Sequence, residues 1–312
     1  MTTPRTRFVV RLPVAAAAAF AWHARPLAFD RLVPPFDPVR LVETHGTIRN
    51  GDWKLLALPP LGLRWLARHE AYEPPLRFRD VQERGPFARC IHDHRFVPLS
   101  ANECELHDEL DWRLPLEPLS YWVASRFVRA KLARAFAWRQ HVVLHDLALH
   151  QRVQAHELRF AMPVAHGNSA LQRASKVVRA IADTGGHSVV LPNQLCSAQV
   201  RWEDRSHVSV QRSTGTVHFE LGKLVQSASD LRDLSSWTDV QELAEALLLA
   251  VAGHLPAGSW SLKREQSAQE DDEAPIPALA VADRAIPSRW SSLRDLRQRL
   301  RGQVAAVDTG MR

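Results

Sequence analysis

Residues 105–114, ELHDELDWRL, alternate without a break. Leu106, Asp108, Leu110, Trp112 and Leu114 share one face, and Glu105, His107, Glu109, Asp111 and Arg113 share the other. That is a strand with one face destined for burial. Pro115 and Pro118 then end the sheet, and residues 119–149 contain neither proline nor glycine. Trp122, Val123, Phe127, Val128, Leu132 and Phe136 recur there at helical spacing, with Arg126, Arg129, Arg134 and Arg139 assigned to the solvated side. A helix of about 28 residues is about 42 Å long, enough to cross a whole sheet. An apolar sheet face needs cover, and this helix supplies it.

The residues before this pair read as more of the same sheet. Residues 6–12 alternate as a strand, residues 15–24 have helical composition, and residues 26–32 form a second short helix. Pro34, Pro35 and Pro38 stop helix formation. Strands are predicted at 39–43 and, after the turn Asn50-Gly51-Asp52, at 53–58. Three more follow at 64–72, 76–82 and 87–96. In these, Trp65 and His69 share a face, as do Phe78 and Asp80, and as do Cys90, His92, His94 and Phe96. Residues 5–22 also imitate a secretion signal, but Arg11 and Pro13 break the apolar run, and strand plus helix is the expectation.

In a chain of 312 residues, 46% hydrophobic and 24% charged, these segments have the apolar content for a sizeable core. Net charge is +6 and scattered, which does not point to nucleic-acid binding. No run of about 18 apolar residues suggests stable membrane insertion. Cys90, Cys104 and Cys196 are widely spaced and lack a CxxC pair. A disulfide scaffold and a structural zinc site are not expected, and a reducing, cytoplasmic location is.

The segment FAWHARPLAFDRLVPPF, then FRDVQERGPFARCIHDHRF, then the long helix, resembles the SRPBCC superfamily over residues 5–148. It is most similar to the SRPBCC domain fused to epimerase-like dinucleotide-binding domains. Gly85-Pro86-Phe87, His92 and His94 match that pattern, and Cys90 stands at an aromatic position. The resemblance implies an α+β helix-grip (START-like) domain: a curved antiparallel sheet over a long C-terminal helix, with a small hydrophobic or amphipathic ligand of the lipid, polyketide or isoprenoid class held between them. The implied role is carrier or sensor. The alternative is an enzyme, either a cyclase/dehydratase here or a nucleotide- or nucleoside-dependent activity in the second half.

Domain limits are set at 1–150 for this unit, 151–262 for a smaller, degenerate α/β region, 263–287 for a disordered linker and 288–312 for a basic amphipathic tail. The α/β region begins as strand (157–165), helix (171–183) and strand (187–191). A fused epimerase-like domain would carry a Gly-rich turn at 164–170. Only Gly167 is present, so no dinucleotide cofactor is expected. The stretch from residue 159 to 224 is also weakly similar to nucleoside deoxyribosyltransferases, which would make Glu220, after Gly215, a nucleophile. The competing reading is a β-hairpin of residues 207–211 and 216–221. Residues 240–255 read as an amphipathic helix.

Asp80 and Asp108 are the sharpest candidates for acid–base chemistry, because a carboxylate on an apolar strand face must be paired. Cys90, His92 and His94 are expected as polar lining, or as partners of those carboxylates. A metal is not expected, since three alternate residues on one straight strand span about 13 Å. Trp53, Trp65, Phe78, Trp112, Trp122, Phe127 and Phe136 complete the predicted ligand-binding set.

Overall fold

The computed structural model describes residues 5–37, 39–58, 62–116, 119–153, 157–163, 169–204, 207–221, 234–264 and 279–281. The chain divides into two compact units, which part between Leu147 and Ala148.

The first unit opens with β1 (Arg5–Leu12), α1 (Ala16–His23) and α2 (Ala28–Leu32). Six strands follow: β2 (Arg40–His45), β3 (Trp53–Leu58), β4 (Leu63–Glu73), β5 (Arg77–Arg84), β6 (Arg89–Ser100) and β7 (Glu103–Arg113). They form one antiparallel sheet in the order β1-β7-β6-β5-β4-β3-β2. The two short helices carry the chain from one edge strand to the other, and a six-stranded meander then returns to β1. α3 (Leu119–Val153) follows, 35 residues and about 52 Å long. This is the helix-grip plan, and its order of elements is the one the sequence predicts.

The two sheet faces differ as the alternation requires. The outer face carries ion pairs such as Arg79 with Asp93, Arg89 with Asp111 and Arg11 with Glu103. The inner face builds two apolar clusters. One joins Leu12, Phe20, Trp22, Phe96 and Leu106 to Trp138, Val142 and Val143 of α3. The other joins Phe8, Cys90, Leu110 and Trp112 to Ala133 and Phe136. Phe8 and Phe136 stack with ring centroids 4.4 Å apart, pinning α3 to β1. A second tie is ionic. Arg31 of α2 grips Asp146 of α3 with two bonds of 2.9 and 2.8 Å, and both side chains are buried.

Three sequence expectations need correction here. Arg139 is not on the solvated side of α3; it is half-buried, with its guanidinium 5.0 Å from the Phe136 ring centre. Three residues apart on a helix, the two share a face. Phe127 is not under the helix; it is 72% exposed. Nine residues separate it from Phe136, which is half a turn out of phase at about 100° per residue. Trp53 lies on the outer sheet face, stacked on the exposed His45, because Lys54 and Leu56 take the inner positions of β3.

The second unit contains β8 (Arg159–Ala161), α4 (Ser169–Thr184), β9 (Ser188–Val190), β10 (Ala198–Trp202), β11 (His207–Arg212), β12 (Gly215–Glu220), α5 (Leu234–Val251), β13 (Gly258–Arg264) and β14 (Leu279–Val281). Its sheet is mixed, in the order β14-β13-β12-β11-β10-β8-β9. β8-α4-β9 and β12-α5-β13 are parallel crossover units. Between them β10, β11 and β12 run antiparallel, so the sheet is not the all-parallel one of a doubly wound dinucleotide fold. β11 and β12 are the expected hairpin. Residues 240–251 of α5 are buried on every side, so this helix is central rather than amphipathic. Part of the predicted linker is strand, since β14 pairs with β13. The Gly167 turn and the tail 288–312 lie outside the described residues. All three cysteines are free, and among the described residues no helix is long and apolar enough to cross a membrane.

Candidate functional site

Between the two apolar clusters of the first unit runs a polar layer. Its origin is the register. On β6 the inward residues are, in order, Cys90, His92, His94 and Phe96; on β7 they are Trp112, Leu110, Asp108 and Leu106. The ends of both series are apolar, and His92, His94 and Asp108 lie between them beside Leu110. His94 lies directly opposite Asp108 on β7 and Phe78 on β5, and His92 lies opposite Asp80. Asp80 in turn lies opposite His69 on β4. Four adjacent strands therefore place His69, Asp80, His92, His94 and Asp108 within one cross-strand patch.

The contacts are close. Asp108 Oδ1 is 3.0 Å from His92 Nε2 and 2.8 Å from His94 Nδ1. Asp80 Oδ2 is 3.3 Å from His94 Nε2 and 3.7 Å from His92 Nδ1, and the other oxygen of Asp80 meets His69 Nδ1. The His94 ring stacks on Phe78 at 4.1 Å, and the His92 ring meets Phe136 edge-on at 5.3 Å. His23 of α1 closes one end, 6.3 Å from His94, its Nδ1 donating to the Ala19 carbonyl at 2.8 Å. The turn Asn50-Gly51 holds β4 from behind. Gly51, at φ +88°, donates to the His69 carbonyl, and the His69 N–H donates to the Asp52 carbonyl.

Burial and charge oppose one another throughout the patch. Burial alone raises both aspartates, but His69 and His94 hold Asp80, and His92 and His94 hold Asp108, well below the usual carboxylate range. Burial lowers His94 as well, yet its two carboxylates outweigh this and raise it to about 9. Burial and the neighbouring His94 lower His92, and burial takes His23 to about 4. Arg139 faces the same carboxylates from α3, and burial lowers it without discharging it. Asp80, Asp108, His94 and Arg139 thus form two anions and two cations in a layer with apolar walls.

The layer is not fully satisfied. His69 Nε2, Trp65 Nε1 and the Arg139 Nε are buried without a hydrogen-bond partner, and His69 Nδ1, Asp80 Oδ1 and His94 Nδ1 make ion-pair contacts without hydrogen-bond geometry. Asp80 is the open member: 28% of its side chain faces space a water molecule can reach, against 8% or less for His92, His94 and Asp108.

The predicted residues fall into three groups. Asp80, His92, His94 and Asp108 come together, with Phe78 and Phe136 against their rings. Cys90 and Trp112 belong to the apolar cluster beside them; burial and the charge of Asp80 push the Cys90 thiol up to about 12, and Trp112 spends its N–H on Thr6 at 3.1 Å. Trp53 and Phe127 lie elsewhere, and the Trp122 side chain is outside the described residues. Glu220 is exposed at the end of β12, opposite His207, in the other unit. Sequence reasoning missed His23, His69 and Arg139. Shared parity with Trp65 on β4 marked His69, and spacing from Phe136 marked Arg139.

No protein family model matches this chain, and no curated protein matches it. Solved structures do. A nucleoside-diphosphate sugar epimerase from Corynebacterium glutamicum aligns over 97% of this chain at 18% identity, with a TM-score of 0.48; the chain covers 63% of that protein's length. The aromatase/cyclase ZhuI from Streptomyces sp. R1128 aligns over 49% of this chain and 98% of its own, at 18% identity and a TM-score of 0.40. Norcoclaurine synthase from Thalictrum flavum, in complex with dopamine and hydroxybenzaldehyde, aligns over 46% and 87%, at 12% identity and a TM-score of 0.38. These neighbours are SRPBCC and Bet v 1-like proteins and an epimerase that contains an SRPBCC domain.

Proposed function

We propose that the first unit binds a small ligand with an apolar body and a polar end, as a carrier or sensor. The reading rests on one observation. A buried interior face lined by Trp65, Phe78 and Phe136 keeps polar atoms without partners beside an aspartate that water can reach. Buried polar atoms are almost always paired, and Trp65 Nε1, His69 Nε2 and Arg139 Nε supply hydrogen-bonding groups that the polar end of a ligand would meet. The ligand's polar end meets Asp80 and these atoms, and its body lies along the rings. The ligand classes implied by the SRPBCC resemblance, lipid, polyketide or isoprenoid, all fit that description.

The test is a titration of the full chain, in the presence of a chelator, with 1-anilinonaphthalene-8-sulfonate. The expected result is saturable one-site binding. Trp65→Ala weakens it about tenfold, a change of about 1.4 kcal/mol, while Trp53→Ala on the outer face leaves it unchanged. Binding that is non-saturable, or equal in both variants, contradicts the proposal.

A second reading, an acid–base enzyme of the cyclase or dehydratase kind, draws on Asp108. That carboxylate is hydrogen-bonded to His92 and lies 2.8 Å from His94 Nδ1, as a positioning group does in proton transfer. Turnover of the bound compound that is lost in His92→Gln with binding intact supports it; binding without turnover supports the carrier.

A further inference from the structure

The two imidazoles of β6 are held in a way that leaves a gap of definite chemistry. A neutral imidazole has one N–H and one lone pair. His92 Nε2 is hydrogen-bonded to Asp108 Oδ1 at 3.0 Å, so its N–H belongs there; His94 Nδ1 lies 2.8 Å from the same atom without hydrogen-bond geometry, and His94 Nε2 is hydrogen-bonded to Asp80 Oδ2 at 3.3 Å. The His92 lone pair then lies on Nδ1, and His94 Nε2 becomes a donor to a cation once its proton is displaced. Both face Asp80 Oδ2, at 3.7 and 3.3 Å. Three potential donor atoms from two strands therefore converge at Asp80, and either the proton of His94 Nε2 or a metal cation that displaces it must lie between them.

The spacing approaches that of a coordination site. Two donors each about 2.0–2.1 Å from a tetrahedral ion lie about 3.3–3.4 Å apart. Donor atoms of Asp80, His92 and His94 all lie within 4.8 Å of one another. The third donor of this set is not Cys90, two residues along β6, but Asp80, across the ladder on β5, so the length of a straight strand does not separate the three. The surroundings also match. Metal-bound histidines usually give their other N–H to a carboxylate, and ligating carboxylates are themselves hydrogen-bonded. Asp108 serves His92 in that way and lies 2.8 Å from His94 Nδ1, and His69 pairs with the second oxygen of Asp80.

We infer that Asp80, His92 and His94 bind one divalent first-row transition ion, with Asp108 as the acceptor that fixes the His92 ring and lies beside His94. Two imidazoles and one carboxylate suit zinc or iron(II) and leave at least one coordination position free. The open side of Asp80 is the entry route and the direction of that free position. The inference does not depend on the organic ligand, and a metal could be bound by a chain that binds no ligand at all.

The test uses the full chain, stripped with a chelator and dialysed, then titrated with Co(II) and with Zn(II). Calorimetry, visible Co(II) absorption and thermal unfolding are read together. The expected result is one equivalent of either ion, with a rise in Tm that saturates at one equivalent. His94→Gln and Asp80→Asn abolish stoichiometric binding. Asp108→Asn weakens it about 10–100-fold, and His107→Gln on the outer face of β7 leaves it unchanged. Should the ligand variants fail to fold, ring-nitrogen NMR of the wild-type chain decides, since Zn(II) must shift His92 and His94 and leave His107 in place. A folded wild-type chain without saturable binding overturns the inference and leaves the gap to a shared proton on His94. Binding retained in His94→Gln, or shifts confined to other histidines, overturns it as well.

Discussion

His94 and Asp108 face each other across β6 and β7 with Nδ1 2.8 Å from Oδ1, and each is 5% exposed or less. An ion pair this deep is costly to break, because the survivor keeps its charge without water. Asp108→Asn therefore lowers the unfolding free energy by about 3–5 kcal/mol, read by urea denaturation at neutral pH. A loss below about 1 kcal/mol shows that His94 is neutral in the native chain.

The Arg31–Asp146 pair makes a parallel case at the α2–α3 contact. Asp146→Ala alone costs about 3–5 kcal/mol, whereas Arg31→Met with Asp146→Leu recovers most of that loss, because no buried charge is stranded. Burial raises the Asp146 carboxyl, but Arg31 outweighs this and holds it far below its ordinary value. Its contribution is complete above about pH 4 and disappears as the pH falls further. Acid unfolding of the double variant therefore starts at lower pH than that of wild type, relative to the stability of each at pH 7.

His23 and His94 set opposite pH windows. His23 has a native pKa of about 4 against about 6.5 unfolded, so between those values only the unfolded chain takes up the proton. Stability falls as the pH falls across that window, by about 3 kcal/mol in all. His94, at about 9, contributes stability below about pH 6.5 that is lost as the pH rises through 9. His23→Gln flattens the acid side alone. A variant with unchanged slope between pH 6.5 and 4 refutes the assignment to His23.

Phe136 and Phe127 test the placement of α3. Phe136→Ala removes a ring stacked on Phe8 and costs about 3–5 kcal/mol. Phe127→Ala changes stability by less than about 0.5 kcal/mol. Equal effects in denaturant midpoints mean that the helix is rotated about its axis.

Much of this architecture is legible in the sequence, and the reason is the pattern at β7. Strict alternation from Glu105 to Leu114 fixes both faces of a strand, and Trp53–Leu58 is read to the residue because a turn glycine bounds it. The pairing of His92 and His94 with Asp80 and Asp108 is also legible, since a buried carboxylate needs a partner and these are the polar groups of the right parity. What parity cannot give is phase on a helix whose hydrophobic stripe is weak. α3 carries aromatic and arginine residues around its circumference, so Phe127 is misassigned inward and Arg139 outward. Trp53 misleads differently: an aromatic beats a lysine in any composition rule, yet Lys54 points inward and gives its ammonium to the Thr47 carbonyl at 2.8 Å. The metal-like geometry is illegible from one strand, because it depends on which strands are neighbours and in what register.

The central claim, that the first unit holds an amphipathic ligand with its polar end at Asp80, is tested most directly by denaturing mass spectrometry of an organic extract from the purified full chain. The expected extract holds one apolar compound with a polar terminus, near one per chain, depleted in Asp80→Asn while that variant remains folded. An empty extract from wild type, or a compound retained equally by Asp80→Asn, contradicts it.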